Sequence, residues 1–461
     1  MSIRSFYDTT DISACDYLKR ANAELKRCAA VVTFGCQQNE ADSELIRGIL
    51  LDLGFSISDN TDEADLVIFN TCAIRAHAED KVLSQLGNYK IKKRSSEDMI
   101  IGICGCMAAE RSAVERIKTK FHYVDFTLEP NSIEKLPALI RDTMESHKRG
   151  FVIGIDDGGI TEDVPVLRKS PYSAWVSVMY GCNNFCTYCI VPYVRGRERS
   201  RRSEDIIREC SELVKSGVKE ITLLGQNVNS YRSDMGFAEL ISKIAELDGD
   251  FIIRFMTSHP KDVSSELISA MGKYTPKIAP CFHLPLQSGS NRILKAMNRT
   301  YDRDSFMATV KRLRAEIPDI VLSTDVIVGF PGEEECDFED TLDMLRRVRF
   351  DAVYGFIYSE REGTRAVNFD CRVDPNVRSD RLARLFAEQD TISKEKSERY
   401  IGRNECVLVR SVSQNGTADA ITTSGKLVRF MAEGAVPGDS VNVKITAAGS
   451  YELIAEKTKQ I

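Results

Sequence analysis

Three cysteines in a nine-residue stretch constrain this chain more than any other feature of its sequence. The run GCNNFCTYC at residues 181–189 spaces Cys182, Cys186 and Cys189 as C-x3-C-x2-C, directly after a predicted strand. Such a short loop lets all three sulfurs face one point, and thiolates bind iron-sulfur clusters strongly. No fourth cysteine or histidine lies nearby, so one iron stays open, whereas a structural zinc site is closed by four ligands. A zinc knuckle completed by a distant residue, or three packed thiols, is the alternative.

Length, charge and cysteine content limit the class of protein. The 461 residues suffice for about three domains. Residues 1–28 have no continuous apolar block of the kind found in secretory signals, and no stretch reaches the ~20 apolar residues of a membrane span. We therefore expect a cytoplasmic protein, in which 14 cysteines indicate metal ligands, reactive thiols or buried residues rather than disulfides. The formal charge of -6 argues against nucleic-acid binding by the whole surface, but leaves room for a local basic patch.

A second set of cysteines follows the strands of the N-terminal part. From residue 29 to about 146, apolar strands alternate with amphipathic helices, which is typical of a parallel α/β sheet. Cys36, Cys72 and Cys106 each follow one predicted strand, and loops after parallel strands gather at one edge of the sheet. They predict a second three-thiolate site, although three buried small residues are an equally good interpretation. Cys104 competes as a ligand, because strand alternation points it the same way as Cys106.

The rest of the chain divides into a linker, a longer α/β series and a small β domain. Residues 150–170 predict an irregular linker that contains a short strand or hairpin. Six strands with intervening helices then predict a partial or complete barrel, which a helix around residues 378–401 closes. From residue 405, short strands separated by Asn-Gly, Ser-Gly and Pro-Gly pairs are typical of a small antiparallel barrel. The six α/β strands are expected at residues 174–179, 220–224, 251–256, 281–284, 321–328 and 352–358.

From about residue 29 to its end, the chain resembles the methylthiotransferase family of radical S-adenosylmethionine (SAM) enzymes. The resemblance rests on the C-x3-C-x2-C loop with Tyr188 before its last thiol, on the N-terminal cysteines and on the C-terminal barrel. It implies Cys36, Cys72 and Cys106, and not Cys104, as ligands of a second [4Fe-4S] cluster. Four runs are most similar to family members that modify N6-isopentenyladenosine in tRNA: GCQQN at 35–39, NTCAIR at 70–75, GCM at 105–107 and CIVPYVRGRE at 189–198.

The resemblance also implies an α/β domain organisation. A parallel α/β domain with the auxiliary cluster precedes a radical SAM core, a partial (β/α)6 barrel, and an OB-like antiparallel TRAM barrel that binds RNA. The expected bounds are 1–28 for an N-terminal extension, 29–149 for the methylthiotransferase domain, 150–170 for the linker, 171–395 for the core and 396–461 for the TRAM domain.

The implied reaction places a methylthio group on C2 of N6-isopentenyladenosine at position 37 of tRNA. SAM chelates the open iron of the first cluster, and its reductive cleavage gives a 5′-deoxyadenosyl radical that removes hydrogen from C2. The second cluster supplies sulfur, which another SAM methylates, so all six cysteines are catalytic and metal-binding. The implied partners are the anticodon stem-loop of tRNA and an external one-electron reductant such as flavodoxin or ferredoxin. We expect a monomer that does not bind membranes.

Side chains at the predicted strand ends are candidates for SAM contacts. Radical SAM enzymes hold the amino group of the cofactor after the second strand, and apolar side chains of the fifth strand flank adenine. The run DVIVGFPG at residues 325–332 departs from the glycine-first motif of the superfamily through Asp325. His259, which follows the third strand, or His283 can equally be a structural histidine. The SAM-binding candidates are Tyr188, Gln226, Asn227, His283, Gln287, Ile327 and Tyr358.

Five arginines follow the cysteine loop with only Glu198 opposing them. Such a run is usually a solvated charged loop, but its position favours contact with RNA phosphates or with the carboxylate of the cofactor. Because contacts with RNA phosphates release counterions, we expect tRNA binding that weakens with salt. Reaching C2 in a buried pocket also requires base 37 to leave its stack. The candidate RNA-binding residues are Arg195, Arg197, Arg199, Arg201 and Arg202.

Three other functions are alternatives to the implied reaction, and seven cysteines belong to neither set. A methylthiotransferase that acts on threonylcarbamoyl-adenosine in tRNA has the same cluster spacing, as does one that acts on an aspartate of a ribosomal protein. A non-catalytic iron-sulfur electron carrier is the alternative of another class. The remaining cysteines stand alone and are assigned to packing: Cys15, Cys28, Cys210, Cys281, Cys336, Cys371 and Cys406.

Overall fold

The computed structural model describes residues 3–73, 76–96, 98–154 and 160–458. They form two compact units, one of Met1–Ser170, Met179–Phe185 and Cys189–Arg201, the other of Pro171–Val178, Cys186–Tyr188 and Arg202–Ile461. None of the helices in these ranges combines the length and the apolar character that crossing a membrane requires.

The strands are numbered along the chain. They are β1 (Ile3–Ser5), β2 (Cys28–Phe34), β3 (Ser56–Ile57), β4 (Leu66–Thr71), β5 (Ile100–Gly105), β6 (Phe126–Leu128), β7 (Gly150–Val152), β8 (Ile160–Glu162), β9 (Ser173–Ser177), β10 (Met179–Tyr180), β11 (Arg199–Ser200), β12 (Glu220–Leu224), β13 (Ile252–Phe255), β14 (Cys281–His283), β15 (Val321–Val328), β16 (Ala352–Ile357), β17 (Asn404–Val412), β18 (Thr417–Thr422), β19 (Leu427–Met431), β20 (Ser440–Ala448) and β21 (Glu452–Lys457).

The α-helices are numbered in the same way. They are α1 (Phe6–Thr9), α2 (Ile12–Leu25), α3 (Gln37–Asp52), α4 (Ala76–Ser95), α5 (Arg111–Lys120), α6 (Leu136–Ser146), α7 (Val191–Val194), α8 (Ser203–Lys215), α9 (Phe237–Ala245), α10 (Ser265–Tyr274), α11 (Asn291–Ala296), α12 (Arg303–Glu316), α13 (Glu335–Val348) and α14 (Pro375–Glu398).

A six-stranded parallel sheet is the centre of the first unit. Its order is β3-β2-β4-β5-β6-β7, so the three predicted strands are its middle and three short strands extend it. Every residue of β4 and β5 is buried, as expected for a parallel sheet covered on both faces. Along β4, Leu66 and Ile68 face one apolar core, and Val67 and Phe69 face another. The prediction of a parallel α/β domain is confirmed.

Residues 3–25 are integral to this unit and do not form an extension. Strand β1 pairs in parallel with β8, and α2 buries Leu18 in the core on the same side as Ile46 of α3. The Asn22 side chain donates a 2.8 Å hydrogen bond to the Leu53 carbonyl. The linker predicted at 150–170 contributes β7 and β8, while its paired glycines at 158 and 159 lie outside the described residues.

The second unit contains all six strands predicted for the central barrel. Strands β9, β12 and β13 form one parallel sheet, and β14, β15 and β16 form another. A parallel bridge between Ile253 and Ile278 joins β13 to the segment that leads into β14. The carboxyl ends of the strands therefore follow one another along one rim, which is where such folds hold ligands.

The C-terminal strands close into a small barrel in the order β17-β18-β19-β21-β20. Four neighbouring pairs are antiparallel, as predicted, but β19 and β21 run parallel. Alternate residues point inward, for example Val407 and Val409 of β17 and Val428 and Phe430 of β19. The inside of the barrel is therefore lined by every second residue of these strands.

Candidate functional site

The three N-terminal cysteines lie together because of the register of the parallel sheet. Phe34 of β2 is level with Thr71 of β4, which is level with Gly105 of β5. Cys72 donates its backbone N–H to the Phe34 carbonyl at 2.9 Å. A Cβ atom at Gly35 would lie only 2.8 Å from Cβ of Cys72, so a residue without a side chain is needed there. The sheet edge therefore gathers the residues that follow the three strands.

Their electrostatics show how closely the thiols approach. A hydrogen bond from the Cys72 thiol is the largest cause that lowers the pKa of Cys36, to about 6, and Arg195 lowers it further against the opposing effect of burial. Burial raises the pKa of Cys106; the charge of Arg195 lowers this pKa and that of Cys36 raises it. Cys36 and Cys72 are thus in contact, and Cys106 shares their electrostatic environment. The lowered pKa favours thiolate, the form that binds metals, at Cys36.

Cys104 and Cys106 point to different places, contrary to the strand-alternation argument. Gly105 has φ +92°, and a Cβ atom there would lie 2.3 Å from Oδ1 of Asn70, so the strand ends in a turn that only glycine accommodates. Cys104 packs in the apolar core with Leu128, where burial raises the pKa of its thiol. Cys106, after the turn, packs with residues near the other two cysteines.

Arg195 connects the N-terminal cysteines to the segment that follows the C-x3-C-x2-C loop. Its Nε atom donates to Sγ of Cys106 at 3.1 Å, and its Nη2 atom donates to Oδ2 of Asp42 at 2.6 Å. The side chain is only 4% exposed. Burial lowers the pKa of this guanidinium, but Asp42 and Cys106 raise it by more. Arg195 therefore faces inward.

Two other arginines of the predicted RNA-binding set are also buried. Arg199 donates to Oδ1 of Asn131 at 2.7 Å, and Arg201 forms a bidentate pair with Glu162 at 2.8 and 2.7 Å. Arg197 and Arg202 are exposed, and Arg197 stacks on the Phe185 ring at 4.3 Å. The run therefore does not form one solvated basic loop, because three of its members hold the first unit together.

A buried polar network under the N-terminal cysteines was missed by the sequence interpretation. Asn39 and Asn70, both 0% exposed, join through a 3.2 Å bond from Nδ2 of Asn39 to Oδ1 of Asn70. Asn70 also donates to Ser43 at 2.9 Å, and the Cys36 thiol donates to Oδ1 of Asn39 at 3.3 Å. The available signal was the pair of asparagines at fixed offsets from Cys36 and Cys72. Together with Asp42 they fix the loops that carry the thiols.

The C-x3-C-x2-C loop begins directly after β10, and β10 pairs with β11 in an antiparallel hairpin. Cys182 donates its backbone N–H to the Gly196 carbonyl at 3.1 Å, and Asn183 and Glu198 exchange two bonds of 3.2 Å. Cys182 is buried, while Cys186 and Cys189 are half-buried. The hairpin thus fixes the start of the loop and leaves two thiols partly accessible.

The SAM-binding candidates follow the rim of the second unit from strand to strand. Ser258, after β13, donates its hydroxyl to the His283 carbonyl. His283 contacts Ser323 through Nδ1 at 3.0 Å and Asp325 through Nε2 at 3.3 Å. The backbone N–H of Gln287 donates to the Asp325 carbonyl at 2.8 Å, and its backbone carbonyl accepts from the Ile327 N–H at 2.9 Å. The fourth and fifth strand ends are therefore joined directly.

Tyr188, Ile327 and Tyr358 of the predicted set pack in one apolar cluster with Met297 and Phe330. The Tyr188 hydroxyl accepts a 2.7 Å hydrogen bond from Arg299, and Tyr358 donates its N–H to the Val328 carbonyl at 2.9 Å. Burial raises the pKa of Tyr358. The rim thus has an apolar side at the fifth and sixth strands.

Three predicted contacts carry a buried polar atom with no hydrogen-bond partner in the described part of the chain. They are Oδ1 of Asn227, Oε1 of Gln287 and the hydroxyl of Tyr358. Buried polar atoms are normally satisfied, and a ligand with amino, hydroxyl and ring nitrogen groups would satisfy these. The residues on the rim therefore fit SAM. Gln226 is half-buried beside Asn227.

The chemistry of the thiols fits an iron-sulfur cluster, because cysteine thiolates are its usual ligands. Within the described ranges, no group of three or more histidine, cysteine, aspartate or glutamate side chains is arranged to hold one metal ion.

Two predictions about other residues have clear outcomes. His259 is buried, its backbone N–H donates to Oδ1 of Asn229 at 2.9 Å, and its ring Nδ1 accepts from the backbone N–H of Lys261 at 3.3 Å. Burial lowers its pKa to about 2 with help from Arg299 and Lys261. It therefore fits the structural interpretation. Packing was wrong for Cys336, Cys371 and Cys406, which are exposed, because a cysteine without partners in sequence gives no signal of its burial.

Comparisons with known proteins match the two regions that contain the sets of cysteines. Residues 176–345 match the radical SAM superfamily, and residues 28–129 match the uncharacterized protein family UPF0004. The chain is 46% identical over 96% of its length to a tRNA-2-methylthio-N(6)-dimethylallyladenosine synthase of Acetivibrio thermocellus, and covers 93% of that protein. It belongs to this synthase family. A synthase of Clostridium perfringens is 44% identical over 94% of this chain and 98% of its own.

Solved structures support the fold. A radical SAM methyltransferase, TsrM from Kitasatospora setae, aligns with a TM-score of 0.53 over 72% of this chain and 73% of its own, at 12% identity. Each family match in this synthase family member contains one candidate site. Cys36, Cys72 and Cys106 lie in the region that matches UPF0004, and the C-x3-C-x2-C loop lies in the region that matches the radical SAM superfamily.

Proposed function

We propose that this chain is a tRNA methylthiotransferase that converts N6-isopentenyladenosine at position 37 of tRNA into its 2-methylthio form. The observation that carries the proposal is the 46% identity to a named synthase over 96% of the chain. The reaction replaces one C–H bond at C2 of the adenine ring with a methylthio group. The two sets of three cysteines support it, because they divide into a site for SAM cleavage and a site for sulfur.

Two [4Fe-4S] clusters are the proposed metal centres. Cys182, Cys186 and Cys189 hold the first, and the residues after β2, β4 and β5, namely Cys36, Cys72 and Cys106, hold the second. When bound, the first cluster supplies the electron for SAM cleavage and the second supplies sulfur. The chain positions both: the hairpin bond from Cys182 to Gly196 anchors one loop, and the buried Asn39 and Asn70 pair anchors the other set.

The rim of the second unit is the proposed SAM site. Nδ2 of Asn227 donates to Asp262, so the Oδ1 atom of the same side chain accepts from polar groups of SAM and orients them. Gln287 and Tyr358 offer a further carbonyl and a hydroxyl. The apolar cluster around Ile327 excludes water from the adenine ring. His283, Gln226 and Tyr188 complete the set, with His283 held by Ser323 and Asp325.

The RNA contacts fall to the exposed part of the arginine run and to the C-terminal barrel. Arg197 and Arg202 are the exposed arginines of the run and are the proposed phosphate contacts, while Arg195, Arg199 and Arg201 are buried and paired within the first unit. Residues 396–461 form the proposed TRAM domain, 171–395 the radical SAM core and 29–149 the domain of the auxiliary cluster. RNA loops are read through unstacked bases, so we expect binding to the anticodon stem-loop.

Three further properties belong to the proposal. The chain acts as a monomer, it takes electrons from an external reductant such as flavodoxin or ferredoxin, and it works in the cytoplasm, where its tRNA substrate is found.

Nucleoside mass spectrometry tests the substrate. The gene is expressed in a host that lacks its own methylthiotransferases, and tRNA nucleosides and ribosomal proteins are measured with and without it. We expect the 2-methylthio form of isopentenyladenosine. A methylthio group on threonylcarbamoyl-adenosine or on a ribosomal aspartate would replace the substrate, and no methylthio product at all would favour a non-catalytic electron carrier.

Anaerobic reconstitution tests the number of clusters. We expect about eight irons per chain, ~4 for each cubane, and release of 5′-deoxyadenosine that depends on a reductant. Bound iron without SAM cleavage would contradict the enzymatic proposal.

A further inference from the structure

Arg195 donates a hydrogen bond to a sulfur atom. Its Nε–H points at Sγ of Cys106 over 3.1 Å, while Nη2 binds Asp42 at 2.6 Å. The fork of an arginine can serve two acceptors at once in a fixed plane. Sulfur and carboxylate therefore lie on two sides of one buried cation, and each fixes the orientation of the guanidinium toward the other.

The backbone that presents Arg195 is itself held in place. The residue directly follows α7, and its backbone N–H donates to the Val191 carbonyl at 2.8 Å. Its own carbonyl accepts from Arg199 at 3.2 Å. Ile190, just before this short helix, and Val194, its last residue, pack with Ala73 and Cys106. The contact with sulfur is thus built into the packing and does not depend on a flexible surface side chain.

We propose that Arg195 is a positioning residue that raises the reduction potential of the auxiliary cluster through its hydrogen bond to Cys106. The inference rests on the proposed function, since it takes Cys106 as a cluster ligand. Reduction adds one electron and one negative charge to the cluster. A cation that donates to a ligand sulfur stabilises the reduced state more than the oxidised one. Because Arg195 and Cys106 are both buried, solvent and salt screen the effect of the guanidinium charge on the cluster only weakly.

Asp42 makes the inference sharper, because its charge acts with the opposite sign. Its carboxylate lies beside the guanidinium and partly cancels the positive charge that the cluster experiences. Asparagine at this position keeps an oxygen that accepts from Nη2 but removes the negative charge. Replacement of Arg195 and replacement of Asp42 are therefore expected to move the potential in opposite directions. A purely structural role of the pair does not predict opposite signs.

The test isolates the auxiliary cluster in the full-length chain. A background with Cys182→Ala, Cys186→Ala and Cys189→Ala is reconstituted anaerobically, and its midpoint potential is measured by redox titration with EPR detection. In this background we expect Arg195→Gln to shift the potential to a more negative value and Asp42→Asn to shift it to a more positive one. Arg195→Lys, which keeps the charge but loses the fork, is expected to fall between Arg195→Gln and the parent.

Arg201→Gln is the matched control, because it removes another buried, paired guanidinium of the same run that lies against Glu162. We expect its potential to equal that of the background. An unchanged midpoint in Arg195→Gln at full iron content overturns the inference. If Arg195→Gln binds no iron, Asp42→Asn decides: a positive shift supports the inference and an unchanged potential overturns it.

The failure of the underlying proposal has a different signature. A background protein that binds no iron, while the unmodified chain binds only ~4 irons, shows that Cys36, Cys72 and Cys106 hold no cluster. That result rejects the auxiliary cluster itself, whereas a bound cluster with an insensitive potential rejects only the role of Arg195.

Discussion

The two sets of cysteines are placed by different kinds of structure. Cys182, Cys186 and Cys189 belong to a single loop, whereas Cys36, Cys72 and Cys106 come from three separate strand ends. In the loop, Cys182 donates its backbone N–H to the Gly196 carbonyl, and Thr187, between Cys186 and Cys189, donates to the carbonyls of Ala296 and Met297. The second set depends on the register of β2, β4 and β5 and on the buried asparagines behind them. A spacing motif can therefore specify the first set, but only a folded sheet can specify the second.

The largest expected effect separates the two sets by function. Cys182→Ala should abolish reductive cleavage of SAM and methylthiolation, because a three-thiolate cluster loses its binding site with one ligand. About half of the iron should remain on the N-terminal cysteines, ~4 irons per chain. Iron analysis together with quantification of 5′-deoxyadenosine checks this. Continued cleavage of SAM by the variant would show that this loop does not hold the radical cluster.

A pair of substitutions sharpens the comparison within the N-terminal set. Cys72→Ala should remove the auxiliary iron and the methylthio product but leave SAM cleavage intact. Cys104→Ala should keep both iron and product, because its thiol faces the apolar core, and should lower the free energy of unfolding by roughly 1–2 kcal/mol. Iron content, product analysis and urea unfolding distinguish the two. Equal loss of product in both variants would contradict the assignment of ligands.

A backbone change should affect the distributed set more than the local one. Gly105→Ala forces a side chain into a position with φ +92° and 2.3 Å from Oδ1 of Asn70. We expect a loss of about 1–3 kcal/mol in stability and reduced auxiliary iron. Gly87→Ala, in the exposed part of α4 with no atom within 4 Å of the added Cβ, is the control and should stabilise the chain by about 0.4–1 kcal/mol. Matching losses in both variants would contradict a specific role of the turn.

The smallest expected effect concerns the arginine run. Arg197→Gln should weaken tRNA binding about equally for all sequences and lower the slope of log affinity against log salt by about 1. Arg346→Gln removes another exposed arginine, which pairs with Glu388 on the outside of α13, and should leave the slope unchanged. Filter binding over a range of salt concentrations measures both. Identical slopes for Arg197→Gln and the parent would leave no phosphate contact at this position.

Several features were predictable because they have a local cause. Apolar segments that alternate with helical segments predicted all six strands of the central barrel and the three middle strands of the N-terminal sheet. The glycine-containing turns predicted the C-terminal barrel. At the strand ends of the second unit, the predicted SAM contacts Asn227, Gln287 and Tyr358 each have a buried polar atom without a partner in the described ranges, and their contact with SAM stays a prediction.

The predictions that failed concern the direction in which side chains point. Alternation could not separate Cys104 from Cys106, because the positive φ of Gly105 interrupts the strand between them. Charge counting could not show that Arg195 is 4% exposed, because its acceptors Asp42 and Cys106 are distant in sequence. Residues 3–25 looked like an extension, since nothing in their sequence reveals the partner strand β8.

The sequence alone determined the C-x3-C-x2-C loop, the order of the six central strands and the family, because each depends on neighbouring residues or on motifs of fixed spacing. The tertiary structure decided which N-terminal cysteines lie together and which arginines are buried. Those outcomes depend on sheet register and on long-range charge pairing, and the free energy of a buried ion pair or thiol depends on atoms that the local sequence does not specify.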